Sequence, residues 1–305
     1  MAKSRLIALI LTHGRPHNQY TVNALKRHGY TGDWVLVVDD EDQTLDEYIK
    51  VWGKDKIVTF SKQDIADRFD EADNSNERRT IFYARNASFD IAEKLGYKYF
   101  IQLDDDYDGF RWRMNEQIEY SSLMVSPVVE EHILDHIFDV MLDYFISVPR
   151  LYSLCMAQSG DYIGGGGSKM ITDQFRRKVM NSFICSTDRR FKFVGRINED
   201  VNTYTSLAHQ GYLFLTTAFV ALNQKTTQSN SGGMSEMYNS LGTYNKTAYS
   251  ILVAPSSTRY SVLYNTSARK SDGKEKDNDA FRIHHRIEWK HTAPLILREE
   301  HKKLL

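Results

Sequence analysis

The chain has two cysteines and five prolines in 305 residues, and no long hydrophobic run. Cys155 and Cys185 each sit in an apolar context, which argues against a disulfide framework or a zinc site and points to a reducing cytoplasm. No segment approaches the roughly 20 apolar residues of a membrane span. The opening "MAKSRLIALILTHGRP" places basic residues before an apolar run. Leu6 to Leu11 is nevertheless too short for a signal peptide, and no small-residue cleavage site follows, so it reads as a first buried strand. The net charge of −1 denies a global nucleic-acid signature and leaves room only for a local patch. No internal repeat is present. What the chain does have is 41% apolar residues, enough for the core of a soluble globular protein.

The first third alternates. "RLIALILTH", "DWVLVVDDED", "DKIVTFS" and "YKYFIQL" read as strands, separated by helices over "NQYTVNALKRHG", "TLDEYIKVWG" and "RRTIFYARNASFDIAEKLG". Continuous apolar strands with helices between them predict an α/β fold whose parallel sheet is covered on both faces. Ligands of such sheets bind at the carboxyl ends of the strands. Thr12 to Pro16, Asp39 to Asp42 and Asp104 to Asp106 all fall at such ends, so they are expected to share one rim.

Beyond Tyr107 the pattern loosens. A helix from about Val128 to Phe145 leads to a strand, "RLYSLCMAQ", and then to "GDYIGGGGSK". That glycine run lacks the ending of a phosphate-cradling loop. It reads equally as a flexible turn or as backbone held close to a ligand. From Phe175 to Arg196 the chain is locally basic through Arg176, Arg177, Lys178, Arg189, Arg190, Lys192 and Arg196. The run delivers Glu199 and Asp200 to the mouth of a predicted helix, "EDVNTYTSLAHQG", where a helix N-terminus favours anions. The polar stretch from Asn223 to Ser250 reads as a long loop or lid. "RYSVLYN" and "FRIHHRIEW" read as strands flanking a charged loop. In the second, alternation puts His285 with Phe281, Ile283 and Ile287 on one face, and His284 on the other. Three consecutive carboxylates at the end of a buried strand either meet a cation or point into water.

The order of "THGRP", "VVDDED", "YARNAS", "LDDDY", a Gly-rich segment, "NED" before a helix and late histidines is similar to the nucleotide-sugar glycosyltransferases of the GT-A fold. The similarity covers most of residues 5 to 222. Within that superfamily, "THGRP", the Asp-Asp-Asp form of the Asp-x-Asp motif and "GRINED" resemble the TET/JBP-associated glycosyltransferases, typical of bacteriophages and related to the base J glucosyltransferase of kinetoplastids. The resemblance implies a single GT-A type, Rossmann-like sandwich over 1–305 with a mostly parallel central sheet. Residues 1–106 would form the nucleotide-sugar half and 107–222 the acceptor and catalytic half. A polar lid would follow at 223–280 and a C-terminal segment at 281–305. It also implies Mn²⁺ or Mg²⁺ as cofactor and a UDP-sugar as donor. Asp106 would ligate the metal, His284 or His291 would supply a further ligand, and Asp104 would approach the ribose or sugar, with Asp105 beside it in the donor site. Arg15 and Arg85 would meet phosphate or nucleotide groups, and Thr12 and Asp40 the base or ribose. Asp200 would be the general base of an inverting transfer.

The acceptor expected from this resemblance is the hydroxymethyl group of 5-hydroxymethylcytosine or 5-hydroxymethyluracil in double-stranded DNA, met by the basic run in the cytoplasm, a host's if the gene is a phage's. Two other classes compete. One is the same fold acting on a glycan, protein or small molecule, with which near-zero net charge is compatible. The other is a DNA-binding protein of this fold without turnover, against which Asp104, Asp106 and Asp200 argue.

Overall fold

The computed structural model describes residues 4–73, 78–114, 120–127, 133–158, 180–208, 210–224, 244–264 and 281–292. The chain begins with β1 (Leu6–Leu11), α1 (Tyr20–Arg27), β2 (Asp33–Asp39), α2 (Leu45–Trp52) and β3 (Ile57–Phe60). Next come α3 (Lys62–Ala66), α4 (Phe82–Lys94) and β4 (Tyr99–Asp104). The middle contains β5 (Tyr107–Met114), β6 (Tyr120–Pro127), α5 (Ile133–Ser147), β7 (Leu151–Gln158) and β8 (Ser182–Ser186). It ends with α6 (Glu199–Ala208) and β9 (Leu213–Gln224). Last are α7 (Tyr244–Val253), β10 (Thr258–Tyr264), β11 (Phe281–Ile287) and α8 (Trp289–Thr292).

The large sheet has the order β3-β2-β1-β4-β8-β7-β9-β5-β6. β3, β2, β1 and β4 are mutually parallel, β7 is parallel to β9, and β8 and β5 run against their neighbours. Followed along the sheet, all strands except β8 and β5 point the same way, as the mostly parallel expectation requires. β1 is buried throughout because it is central and covered on both faces. Its Leu6, Ala8 and Ile10 pack with α1, α2 and α5, whereas Ile7, Leu9 and Leu11 pack with α3, α4 and α6. Each of these leucines and isoleucines contributes about 1.5–3 kcal/mol relative to exposure.

α4 departs from the usual amphipathic helix. It buries Phe82, Tyr83, Ala87, Phe89, Ile91 and Ala92, but also Arg85, Asn86 and Ser88. Polar groups in such a position must find partners inside the protein. Asn86 Nδ2 donates to the Phe193 carbonyl at 3.2 Å and its Oδ1 accepts from Phe193 N–H at 3.0 Å, joining α4 to the segment before α6.

Two elements differ from the sequence reading. The polar stretch expected to be loop as far as Ser250 contains α7, whose Thr247 and Ser250 are fully buried. The chain also enters β5 only two residues after β4, and β5 pairs with β9 rather than with β4. The triple aspartate therefore sits at the junction between the parallel half of the sheet and the remainder. The Gly-rich segment at 164–167 lies outside the described residues.

Candidate active site

The ends of β1, β2 and β4 meet as the alternation predicts. Thr12 Oγ1 donates to Asp105 Oδ2 at 2.7 Å, Gln19 Nε2 donates to the same hydroxyl at 2.8 Å, and Tyr48 OH lies 2.8 Å from it. Arg15 N–H in turn donates to Tyr48 OH, and Arg15 Nη1 to Asp105 Oδ1, both at 2.8 Å. Asp105 is thus consumed in tying the β1–α1 loop to β4. Beside this network His13 Nδ1 lies 2.7 Å from Asp39 Oδ2, and the buried Lys62 Nζ lies 2.9 Å from Asp39 Oδ1. Gly14, at φ +68°, donates its N–H to Asp42 Oδ2 at 2.6 Å. A positive φ there turns the loop so that its backbone donor faces the next strand end.

Asp104 and Asp106 flank this anchored residue. Burial raises the Asp104 carboxyl to about 7; Arg85 opposes the shift, while Asp106 and Glu199 add to it. Burial also raises Asp106, whose two oxygens accept from Gln224 Nε2 at 3.1 and 3.2 Å. Two partly buried carboxylates that raise each other's cost of ionisation form a site that gains from a cation.

Arg85 lies between this pair and α6. Its guanidinium donates from Nη2 to Asp104 Oδ1 at 3.0 Å and from Nε to Glu199 Oε1 at 2.9 Å. It stands over the Phe183 ring at 4.8 Å and its side chain is 1% exposed. Glu199 is raised by burial and by the neighbouring Asp200, and held down in part by Arg85. Asp200 differs. Its Oδ1 accepts the Val201 N–H at 2.7 Å, and among the described residues it forms no ion pair. Both carboxylates are buried in the first turn of α6, where the helix N-terminus favours negative charge.

Several expected site residues therefore have other employment. Arg85 is a bridge between two carboxylates rather than a phosphate contact, since its donors are turned inward and its side chain is sealed. Thr12 and Asp105 are internal partners of one another. Asp40 is exposed and accepts from Lys62 N–H at 3.0 Å, which leaves Asp39 and Asp42 as the buried acids of that strand end. Arg15 remains partly exposed at the rim, 22% by side chain.

Among the described residues, His284 and His291 included, no group of three or more His, Cys, Asp or Glu side chains is placed to hold a metal. His291 is exposed on α8. It is His285 that reaches the α6 loop, with Nδ1 3.4 Å from Asn198 Nδ2. Alternation groups it with Ile283, which is 45% exposed, so that face of β11 is not inward throughout.

The basic run is likewise redirected. Arg189 Nη1 donates to the carbonyls of Phe145, Val148 and Leu151 at 3.2, 3.0 and 2.8 Å, closing the C-terminal end of α5. Arg190 pairs with Asp90 and Glu93, and Arg196 is buried against Asp73 at 2.6 and 2.7 Å. Lys192 is exposed, 5.8 Å over the Phe69 ring. Arg176, Arg177 and Lys178 lie outside the described residues. A run of positive charge in sequence does not reveal acids brought from α4 or carbonyls at a helix end.

Residues 7–233 match the family described as TET-associated glycosyltransferase. The chain belongs to that family. This TET-associated glycosyltransferase is a transferase that uses nucleotide-sugar donors. No curated protein matches it. Among solved structures, it is similar to glucosyl-3-phosphoglycerate synthase from Mycobacterium tuberculosis in complex with Mg²⁺ and UDP, with 7% identity, 98% of this chain and 92% of that one covered, and a TM-score of 0.43. It is also similar to a mannosyltransferase from Pyrobaculum calidifontis in complex with GDP-Man and Mn²⁺, with 11% identity, 83% and 74% covered, and a TM-score of 0.42. At these scores neither likeness assigns a role to any residue here. No helix among the described residues of the glycosyltransferase is long and apolar enough to cross a membrane.

Proposed function

We propose that this TET-associated glycosyltransferase moves a sugar from a UDP-sugar to the hydroxymethyl group of a modified pyrimidine in double-stranded DNA, with inversion and with a divalent cation. The observation that carries the reading is the unequal treatment of the two acids on α6. Glu199 is paired with Arg85, and Asp200, one residue on, forms no ion pair among the described residues. A carboxylate in that state can take the proton of the acceptor hydroxyl. The hydroxymethyl oxygen then bonds to the anomeric carbon as the bond from that carbon to the donor phosphate breaks. The bonding pair leaves on the nucleoside diphosphate, and the proton resides on Asp200.

The donor set fits a Mg²⁺ or Mn²⁺ ion. Such an ion is commonly held by one or two carboxylates together with substrate phosphates, and needs no complete protein cage. Asp106 would hold it, with Asp104 facing the donor's ribose or sugar, and the ion would supply charge neutralisation on the leaving diphosphate. Arg15 would meet the phosphates from the rim. The DNA acceptor is supported by the family's name and by the "GRINED" resemblance. With Arg189 and Arg190 engaged internally, its phosphate contacts would fall to Arg176, Arg177, Lys178 and Lys192. That internal engagement also favours a second reading, transfer to an acceptor that is not nucleic acid.

One experiment separates these readings. The protein is incubated with Mn²⁺, a panel of nucleotide sugars, and duplexes containing 5-hydroxymethylcytosine, 5-hydroxymethyluracil or neither, and the digested nucleosides are then weighed. A hexose or pentose mass added only to the hydroxymethylated nucleoside is expected. Nucleoside diphosphate release with every duplex left unmodified would reject the DNA acceptor and keep the transferase.

A further inference from the structure

The family match ends at residue 233, and α7, β10, β11 and α8 lie beyond it. Of these, α7 and β11 reach the residue immediately before the acidic pair. Asn198 is 4% exposed and holds the left-handed conformation at φ +60°, which asparagine tolerates better than most residues. Its carbonyl accepts the Asn202 N–H at 3.0 Å, so it starts α6. Its amide Nδ2 donates to Ser250 Oγ of α7 at 2.5 Å and lies 3.4 Å from His285 Nδ1 of β11. On the next turn of α6, Tyr204 stacks on Trp289 of α8, with ring centroids 6.0 Å apart and planes 4° from parallel. From the other side Asn202 Nδ2 donates to the carbonyls of Val194 and Ile197 at 3.1 and 2.9 Å, fixing the loop that leads into Asn198.

We infer that α7, β11 and α8 form a positioning clamp for the catalytic edge, in which Ser250 and His285 act through Asn198 to set the direction of Asp200. This rests on the assignment of Asp200 as the base. The backbone at Asn198 decides where α6 begins, and Asp200 lies two residues further along. A general base must meet the acceptor proton within hydrogen-bonding reach, and a misplacement of about 1 Å can lower rate by about 10²-fold. Among the described residues the donor-rim network of Thr12, Asp105 and Tyr48 includes no residue of the clamp.

The test compares Asn198→Ala, Asn198→Gly and Ser250→Ala in the full chain. Glycine keeps the positive φ and loses the amide, so it separates a backbone role from the clamp. Hydrogen exchange of a peptide spanning 198–204 is measured together with turnover on hydroxymethylated duplex and with calorimetric affinity for UDP in Mn²⁺. Faster exchange in that peptide, turnover lower by about 10- to 100-fold and unchanged UDP affinity are expected for Asn198→Gly and Ser250→Ala alike. A fully active Asn198→Gly protein, or unaltered exchange in Ser250→Ala, would overturn the clamp. If the wild-type protein transfers no sugar to the duplex while the variants still exchange faster, the hold on α6 through Asn198 stands and the DNA acceptor falls.

Discussion

The donor rim carries more carboxylates than the acceptor edge, and the two are held in different ways. At the rim, partners come from neighbouring strand ends: Thr12 and Arg15 from the end of β1, Asp39 and Asp42 from the end of β2, and Asp105 from the end of β4. Most of these groups have more than one contact, so each is supported redundantly. At the acceptor edge Glu199 depends on Arg85, 114 residues earlier, and Asn198 on Ser250, 52 residues later. The difference teaches that the rim is a consequence of the sheet topology, whereas the edge depends on a few contacts made from α4, α7 and β11. Substitutions should therefore act unequally on the two.

The largest stability effect is expected at the bridge itself. Arg85→Gln leaves Asp104 and Glu199 buried without their cation, which should lower unfolding free energy by about 3–5 kcal/mol in urea titrations. Adding Glu199→Gln should recover part of the loss. Additive, independent losses would show that the bridge does not couple the two regions. A smaller effect is expected at Gly195, which has φ +79° and where a Cβ would come within 2.7 Å of Asn202 Nδ2. Gly195→Ala should cost about 1–2 kcal/mol by the same assay, and a neutral outcome would show that the loop before α6 relaxes freely. At the rim, Tyr48→Phe removes one hydroxyl from a network with other support and should cost about 1 kcal/mol. A loss above that of Gly195→Ala would reverse the proposed contrast between the two regions.

The most gradual effect is on pH dependence. Asp104 in the folded protein titrates near 7 because of its burial, above the ordinary aspartate value of about 4. Folding therefore favours its protonated form. The stability it contributes is complete below about pH 4 and is lost as pH rises toward 7. Thermal melts of metal-free protein should fall across that window. Because ligating carboxylates must be ionised, the gain in Tm from Mn²⁺ with UDP should grow from pH 5 to pH 8. A gain that shrinks with pH would remove Asp104 and Asp106 from the metal and donor site.

The first four strands of the sheet and their helices were legible because each pattern is local: "LIALIL" is apolar on both faces and Gly29 and Gly96 close their helices at positive φ. The placing of "LDDDY" at a strand end followed from the same periodicity. β8 was not legible, since "SFICS" is short and enters antiparallel between β4 and β7. The inward turn of Arg85 could have been suspected from "FYARNASF", where apolar residues leave the helix almost no solvent face. The partners of Arg189, Arg190 and Arg196 come from segments distant in sequence, and no run of basic residues discloses them. The same holds for Gln224 at Asp106 and for Ser250 at Asn198.

The account divides one site into a donor half and an acceptor half, and a crossed pair of variants tests that division most directly. UDP affinity in Mn²⁺ and turnover with a hydroxymethylated duplex are measured side by side for Asp106→Asn and Asp200→Asn. Asp106→Asn should lose Mn²⁺-dependent UDP binding, and turnover with it. Asp200→Asn should bind UDP as the wild type does while turnover falls by about 10²- to 10⁴-fold. UDP affinity that collapses in Asp200→Asn, with turnover largely kept, would contradict the division and move Asp200 to the donor side.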